Sequence, residues 1–265
     1  MRRLHLFELG DADWLPPSLR GSVGETLSLL TDCFHPYGEA LELVADRLAE
    51  DRPGRIVDLC AGAGGPWRRL GGLLADRGHT PEVVLTDLHP EVPARLRGRL
   101  GLGDRVRIWP EPVDARRVPD ELVGHRIMFN ALHHFDADGV REIFADAARA
   151  GSRIVCLEVT ERRWRCLPAI ALIPLATLLV TPWLPPRRGF RLLWTYGIPA
   201  VPLITGFDGL VSCARSYRIE ELLRLAREAV PAWNWTAGRA GSTWLPLRGT
   251  WILGHPTLGT PARGR

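Results

Sequence analysis

Short apolar runs alternate with longer amphipathic segments along most of the chain. Five runs of five to seven residues, the first starting at residue 55, have the length and turn-forming flanks of buried β-strands. Three of the intervening segments carry apolar residues at helical spacing. Strands that alternate with helices build a parallel sheet covered on both faces, so the pattern predicts an α/β fold. The predicted strands are RIVDLC (55–60), EVVLTD (82–87), RVRIWP (105–110), RIMFN (126–130) and RIVCLEV (153–159), and the predicted helices are 66–78, 90–100 and 136–150.

The regions before and after this core allow the chain to be divided into five predicted parts. A helix is expected at Glu39–Ala49 and another at 216–229, and residues 232–238 and 248–255 are suited to a closing antiparallel pair. The predicted parts are an N-terminal helical region (1–53), the α/β core (54–160), an apolar helical insertion (161–213), the C-terminal part of the core (214–257) and a disordered tail (258–265).

The predicted insertion contains two uncharged stretches, Leu167–Leu184 and Leu192–Phe207, each interrupted by prolines. Three alternatives fit them: kinked helices that cap the carboxyl edge of the sheet, helices that touch an anionic membrane surface, or a membrane span. Arginines flank the first stretch on both sides, as a membrane surface would favour. These are Arg162, Arg163, Arg165, Arg187, Arg188 and Arg191.

The amino-acid composition argues against several classes of function. With 265 residues and 46% hydrophobic residues, the chain can bury one sizeable core. All 34 basic residues are arginine, so mechanisms that need a lysine are excluded, and the formal charge of +4 is spread too evenly to indicate nucleic acid. The five cysteines form no CxxC motif and no cluster with histidine, which predicts a reducing compartment and no metal site. The N-terminus lacks the long apolar region of a signal peptide, so we expect a cytoplasmic protein.

The segment IVDLCAGAGGPW (56–67) predicts a ligand-binding turn at the end of the first strand. A P-loop is excluded because no Gly-Lys-Ser/Thr follows. The dinucleotide motif G-x-G-x-x-G fits at Gly62 and Gly64, but its third glycine is replaced by Trp67. A nicotinamide oxidoreductase is therefore a weaker alternative.

The segment VDLCAGAGG resembles motif I of the class I S-adenosylmethionine-dependent methyltransferases, with Cys60 where glycine is commoner. Together with WLPPSLRG, LTDLHP, FNALHHF and FDGLVSCARSY, it makes nearly the whole chain similar to a bacterial group of class I methyltransferase-like proteins. The resemblance implies a Rossmann-like seven-stranded fold with an antiparallel closing strand. It also implies an N-terminal helical lid and a helical insertion after the fifth strand.

The resemblance places S-adenosylmethionine at the carboxyl ends of the strands. Asp87 would accept hydrogen bonds from the ribose hydroxyls, although a helix N-cap is the alternative. Asp114 would receive the adenine amino group, although a solvated turn residue is the alternative. Asp58 would organise the glycine turn and the methionine end. The predicted cofactor-binding residues are Asp58, Cys60, Ala61, Gly62, Gly64, Asp87, Leu88, Asp114, Ala115 and Asn130.

The predicted catalytic residues are His133, His134 and Glu158, which follow the fourth strand or end the fifth. One histidine would be a general base, or both would bond to backbone groups, with Asp136 as a helix N-cap. Glu158 would hold an acceptor amine or pair with a nearby arginine. An apolar, aromatic wall, of which Trp244 is also part, predicts a lipophilic or aromatic acceptor, with His134, Trp183, Trp194 and Tyr196 as substrate-binding residues. Tyr196 and Asp208 are weaker candidates for a part in the chemistry.

The sequence therefore predicts methyl transfer to a lipophilic or aromatic small molecule, in secondary metabolism. A nucleic-acid substrate is disfavoured because Asn130 is followed by Ala-Leu-His and not by the Pro-Pro-Tyr/Phe of amino-methylases that act on bases. A membrane-associated enzyme that methylates a lipid or quinone, and a protein that binds S-adenosylmethionine without transferring its methyl group, stay as alternatives. The acceptor atom and a homodimer are left open.

Overall fold

A computed structural model describes residues 3–12, 14–62, 64–94, 100–184, 189–241 and 248–257. Its centre is a seven-stranded sheet of order β3-β2-β1-β4-β5-β7-β6. The first five strands are parallel, and β7 runs antiparallel to both β5 and β6. The predicted α/β fold and its antiparallel closing strand are confirmed. The strands are β1 (Arg55–Leu59), β2 (Glu82–Leu85), β3 (Val106–Ile108), β4 (His125–Phe129), β5 (Ile154–Glu158), β6 (Trp233–Gly241) and β7 (Arg248–Pro256).

Each central strand sends alternate side chains to opposite faces of the sheet, which is why its sequence is apolar throughout. In β4, Met128 belongs to a buried cluster on one face, and Ile127 and Phe129 belong to the cluster on the other. Helices cover both clusters: α5 (Ala137–Arg149) and α10 (Ile219–Ala229) on the first face, α2 (Glu39–Asp51) and α3 (Trp67–Asp76) on the second. The helix predicted at 90–100 begins as α4 (Glu91–Ala94), and residues 95–99 lie outside the described ranges.

The first helix, α1 (Pro17–Phe34), was not predicted from the sequence. Its buried face is largely polar, so it lacks the apolar stripe that marks an amphipathic helix. The helix is stabilised instead by tertiary contacts. Among these, Glu25 forms a buried ion pair with Arg191 of the insertion.

The insertion is a series of short helices between β5 and α10. They are α6 (Leu167–Ala171), α7 (Ile173–Val180), α8 (Gly189–Leu192), a π-helical turn (Leu193–Gly197) and α9 (Ala200–Arg215), so α9 continues past the predicted boundary at 213. Helices α7, α8 and α9 pack against α1, as the cap alternative expects. Among the described residues one helical run, Trp164–Trp183, is long and apolar enough to cross a membrane, with a mean hydropathy of 1.8 and 22% of it buried.

Two arginines expected to flank a membrane surface are used inside the protein. Arg162 is 2% exposed and binds both carboxylate oxygens of Glu221, and Arg191 is 1% exposed beside Glu25. Neither is available to lipid headgroups. Arg187 and Arg188, like Trp244 and the predicted disordered tail, lie outside the described residues.

The N-terminal segment, residues 3–12, reaches the carboxyl edge of the sheet and is fixed there by hydrogen bonds. Asp208 in α9 accepts the backbone N–H groups of Leu9 at 2.7 Å and Gly10 at 2.8 Å. Arg3 donates to the carbonyls of Arg215 and Phe135. The segment is therefore held beside the residues that follow β4.

Candidate active site

The turn after β1 has an unusual backbone conformation. Cys60 has a φ of 55°, Gly62 of 43°, Gly64 of 79° and Gly65 of 50°, all in the left-handed region that favours glycine. A Cβ on Gly64 would lie 2.7 Å from Leu100, and one on Gly65 would lie 2.8 Å from Phe129. These two glycines therefore allow close packing inside the protein, and Gly62 is the glycine that faces Asp87.

Asp58, at the end of β1, lies in a fully buried position and contacts the first residue of α3. Its Oδ2 accepts a 2.6 Å hydrogen bond from Trp67 Nε1, and Oδ1 has no hydrogen-bond partner among the described residues. Burial raises the pKa of Asp58 to about 8, against the effect of the indole N–H, which lowers it. Trp67, at the position of the missing third glycine, packs edge-on against Phe129.

Asp87, beyond the end of β2, connects this turn to the next. Its Oδ2 accepts the Gly62 N–H and its Oδ1 accepts the His89 N–H, both at 2.8 Å. Burial raises the pKa of the carboxyl group, and the two N–H donors lower it. Leu88 beside it is 52% exposed.

Asp114, beyond the end of β3, forms a bidentate ion pair with Arg116. The shortest contact, Asp114 Oδ2 to Arg116 Nη2, is 2.6 Å, and this pairing lowers the pKa of Asp114. Ala115 is buried. An adenine amino group would share Asp114 with the guanidinium.

Asn130 has a left-handed backbone, with a φ of 50°, and joins the ends of two strands. Its side-chain Oδ1 accepts the Val159 N–H at 3.1 Å, and its own N–H donates to the Leu157 carbonyl at 2.6 Å. Asp136 is the N-cap of α5 as expected, because it accepts the Gly139 N–H at 2.8 Å.

His133 and Glu158 form a buried pair between β4 and β5. His133 Nδ1 lies 2.6 Å from Glu158 Oε2, and the other oxygen of Glu158 accepts the Leu132 N–H at 2.8 Å. The carboxylate requires the proton to be on Nδ1, and His133 Nε2 has no hydrogen-bond partner among the described residues. Of the two alternatives for Glu158, an ion pair with a nearby arginine is wrong, since Arg162 binds Glu221 and Arg163 binds Glu161.

His134 lies beside His133 but is bound from the N-terminal segment. Its Nδ1 is 3.0 Å from Asp11 Oδ1, and its Nε2 is 3.7 Å from Glu8 Oε2. Burial raises the pKa of Glu8 to about 7, although His134 and Arg215 lower it. Arg215 donates to the carbonyls of both histidines, and so fixes the loop that carries them.

The three aromatic residues predicted to bind substrate lie in different surroundings. Trp194 packs against the buried cluster that joins the N-terminal segment to α9, whereas Trp183 is 79% and Tyr196 50% exposed. A cavity of about 420 Å³ lies beside the start of α3, between Tyr37 and Pro66. None of the three aromatic residues lines it.

Glu8, Asp11 and Arg215 were missed by sequence reasoning. Glu8 and Asp11 stand in a short segment without periodicity, far along the chain from the histidines that they contact. The acidic segment ELGDAD is the one sequence feature that could have indicated Glu8 and Asp11. Such a segment is also typical of a solvated loop.

Comparison with solved structures gives the fold a known context. The plantazolicin methyltransferase, solved with S-adenosylhomocysteine, aligns at a TM-score of 0.57 and 10% identity over 93% of this chain and 94% of that one. An O-methyltransferase from neocarzinostatin biosynthesis, solved with S-adenosylmethionine and 2-hydroxy-5-methyl naphthoic acid, aligns at 0.52 and 14% identity over 91% and 59%. An O-methyltransferase family protein from Burkholderia thailandensis aligns at 0.50 and 16% identity over 89% and 59%.

The fold is that of the class I S-adenosylmethionine-dependent methyltransferases. The chain spans 59% of the length of the last two of these structures. No protein-family model matches the chain, and no curated protein matches its sequence.

The residues around the glycine turn could hold S-adenosylmethionine. Asp58 Oδ1 is a buried oxygen without a hydrogen-bond partner among the described residues, and the ammonium group of S-adenosylmethionine would favour the ionised carboxylate there. Each oxygen of Asp87 accepts one N–H, which leaves lone pairs for two ribose hydroxyls. An adenine ring would contact the exposed apolar side chain of Leu88.

Proposed function

We propose that the protein transfers a methyl group from S-adenosylmethionine to a hydroxyl group of a lipophilic or aromatic small molecule. The observation that carries the choice of an oxygen acceptor is the His133–Glu158 pair. A buried imidazole whose Nδ1–H is held by a carboxylate has its Nε2 free to receive a proton. A carbon nucleophile would not need such a pair.

The chain's own residues would position the acceptor and take up its proton. S-adenosylmethionine would supply an electrophilic methyl group on sulfur for transfer to the acceptor oxygen, with S-adenosylhomocysteine as the leaving group. Asp58, Asp87 and Leu88 would hold the cofactor, and the segment that carries Glu8 and Asp11 would shield the site from water as a lid.

Cofactor binding is tested by calorimetry with S-adenosylhomocysteine on the wild type and on Asp87→Ala. We expect micromolar binding that weakens about tenfold or more in the variant, because a bidentate acceptor of the ribose is lost. Asp76→Ala, at an exposed position at the end of α3, is the matched control and should bind like the wild type. Binding of NAD(P) with no binding of S-adenosylhomocysteine would refute the proposal.

One observation favours the membrane-associated alternative for the same reaction. The outer face of the insertion exposes large apolar side chains, with Trp183 at 79%, Trp164 at 70% and Leu179 at 64%. A lipid or quinone acceptor would then be taken from the bilayer. Sedimentation with anionic liposomes, lost in a Trp164→Ser/Trp183→Ser variant that stays folded, would support this alternative.

A further inference from the structure

Two histidines and one carboxylate meet beyond the ends of β4 and β5. One possible ligand atom from each of Glu8, His133 and His134 lies within 4.8 Å of the others. His133 Nε2 is 3.6 Å from Glu8 Oε1, and His134 Nε2 is 3.7 Å from Glu8 Oε2. These separations are too long for hydrogen bonds. They are close to the ~3.4 Å between neighbouring ligands that each lie about 2.1 Å from a tetrahedral zinc ion.

We infer that Glu8, His133 and His134 bind a divalent transition-metal ion. Two imidazoles and one carboxylate are a zinc ligand set that leaves a fourth position open. The sequence predicted no metal site because it contains no cysteine and histidine cluster, and Glu8 comes from a distant segment.

The orientation of both histidines supports a metal site. His133 Nδ1 faces Glu158 and His134 Nδ1 faces Asp11, so each ring presents Nε2 toward Glu8. Histidines that bind metals usually donate their other ring N–H to a carboxylate, which fixes the tautomer and the direction of the lone pair. Here the same arrangement occurs twice.

The ring nitrogen Nε2 of His133 gives a second, independent observation in favour of a metal site. His133 is 1% exposed, and its Nε2 has no hydrogen-bond partner among the described residues. A buried polar atom without a partner is costly, and a metal ion would satisfy it. Ser212 Oγ lies 3.1 Å from Glu8 Oε1 and helps to fix that carboxylate.

The charges around the cluster also favour a cation. Within the described part of the chain, its neighbourhood contains four carboxyl groups and two guanidinium groups, and a divalent ion would stabilise the ionised form of these carboxyl groups. Arg215 Nη1 lies 3.5 Å from Glu8 Oε1, on the same side as Ser212. The charged groups are Glu8, Asp11, Glu158 and Asp208 on the negative side and Arg3 and Arg215 on the positive side.

A cation at this position would act on the acceptor. It would lower the pKa of an acceptor hydroxyl bound at its open position, a role that would otherwise fall to His133 Nε2. His134, with a side chain 32% exposed, marks the side from which an acceptor could approach. This use of the ion rests on the proposed function, whereas the binding of the ion does not.

The test is a cobalt titration of untagged protein that has been stripped with a chelator. We expect one equivalent of Co²⁺ to bind with visible absorption bands of a four-coordinate ion, to be displaced by Zn²⁺, and to show no thiolate charge-transfer band from the cysteines. Glu8→Gln and His134→Gln should each weaken binding about 100-fold, and Asp11→Asn about tenfold. His35→Asn, at an exposed position just after α1 and outside the cluster, is the control and should bind like the wild type.

Failure of a folded wild type to bind Co²⁺ would overturn the inference. So would equal binding by the wild type and a Glu8→Gln/His134→Gln double variant. Circular dichroism establishes folding in every case. Since the titration needs neither S-adenosylmethionine nor an acceptor, cobalt binding together with a failure to bind S-adenosylhomocysteine would refute the proposed function and leave the metal site standing.

Discussion

The raised pKa of Asp58 predicts that stability depends on pH through one buried carboxyl group. The folded protein holds this proton up to about pH 8, whereas the unfolded chain releases it near 3.8. Between these values the folded state binds more protons, so the free energy of unfolding must fall as pH rises. At about 1.4 kcal/mol for each pKa unit, the full rise corresponds to roughly 6 kcal/mol, an upper bound because water and relaxation moderate it.

Asp58→Asn keeps the shape of the side chain and removes the proton. Urea unfolding of both proteins between about pH 5 and about pH 8 should show the wild type losing several kcal/mol more than the variant across this range. Trp67→Phe removes the indole N–H that lowers the pKa, and should extend the loss to higher pH. Asp76→Asn, exposed in α3, is the control and should follow the wild type. Parallel curves for the wild type and Asp58→Asn would refute the reasoning.

Three further predictions concern packing, catalysis and the N-terminal helix. Gly64→Ala should destabilise the protein by about 1–3 kcal/mol, because its Cβ meets Leu100 and its φ is positive, whereas Gly72→Ala in α3 has free space and should be neutral or stabilising by thermal unfolding. Glu158→Gln should lower kcat about 100-fold on a hydroxyl acceptor with little change in KM, and an unchanged kcat would exclude His133 as the base. Arg191→Met should cost about 3–5 kcal/mol in urea unfolding, since it breaks the buried ion pair with Glu25 from one side; a loss below about 1 kcal/mol would contradict this.

The pattern of apolar residues along the chain predicted the strands and helices whose buried faces are apolar. The apolar runs of β1, β4 and β5 are continuous because each is covered on both faces, and this can be read without a structure. The opposite case is α1, whose buried face contains Ser22, Thr26 and Glu25. No periodicity marks that helix, because its stability comes from packing against the insertion.

The sequence by itself determined the parallel sheet, the glycine turn and the acids at the strand ends. The carboxyl ends of parallel strands meet at one edge, so Asp58, Asp87 and Glu158 come together once the strands are recognised. Only the tertiary structure decided which partner each charged group binds. Glu158 pairs with His133, and Glu8 comes from a separate segment to face both histidines, because such contacts depend on the path of the chain through space and have no local pattern.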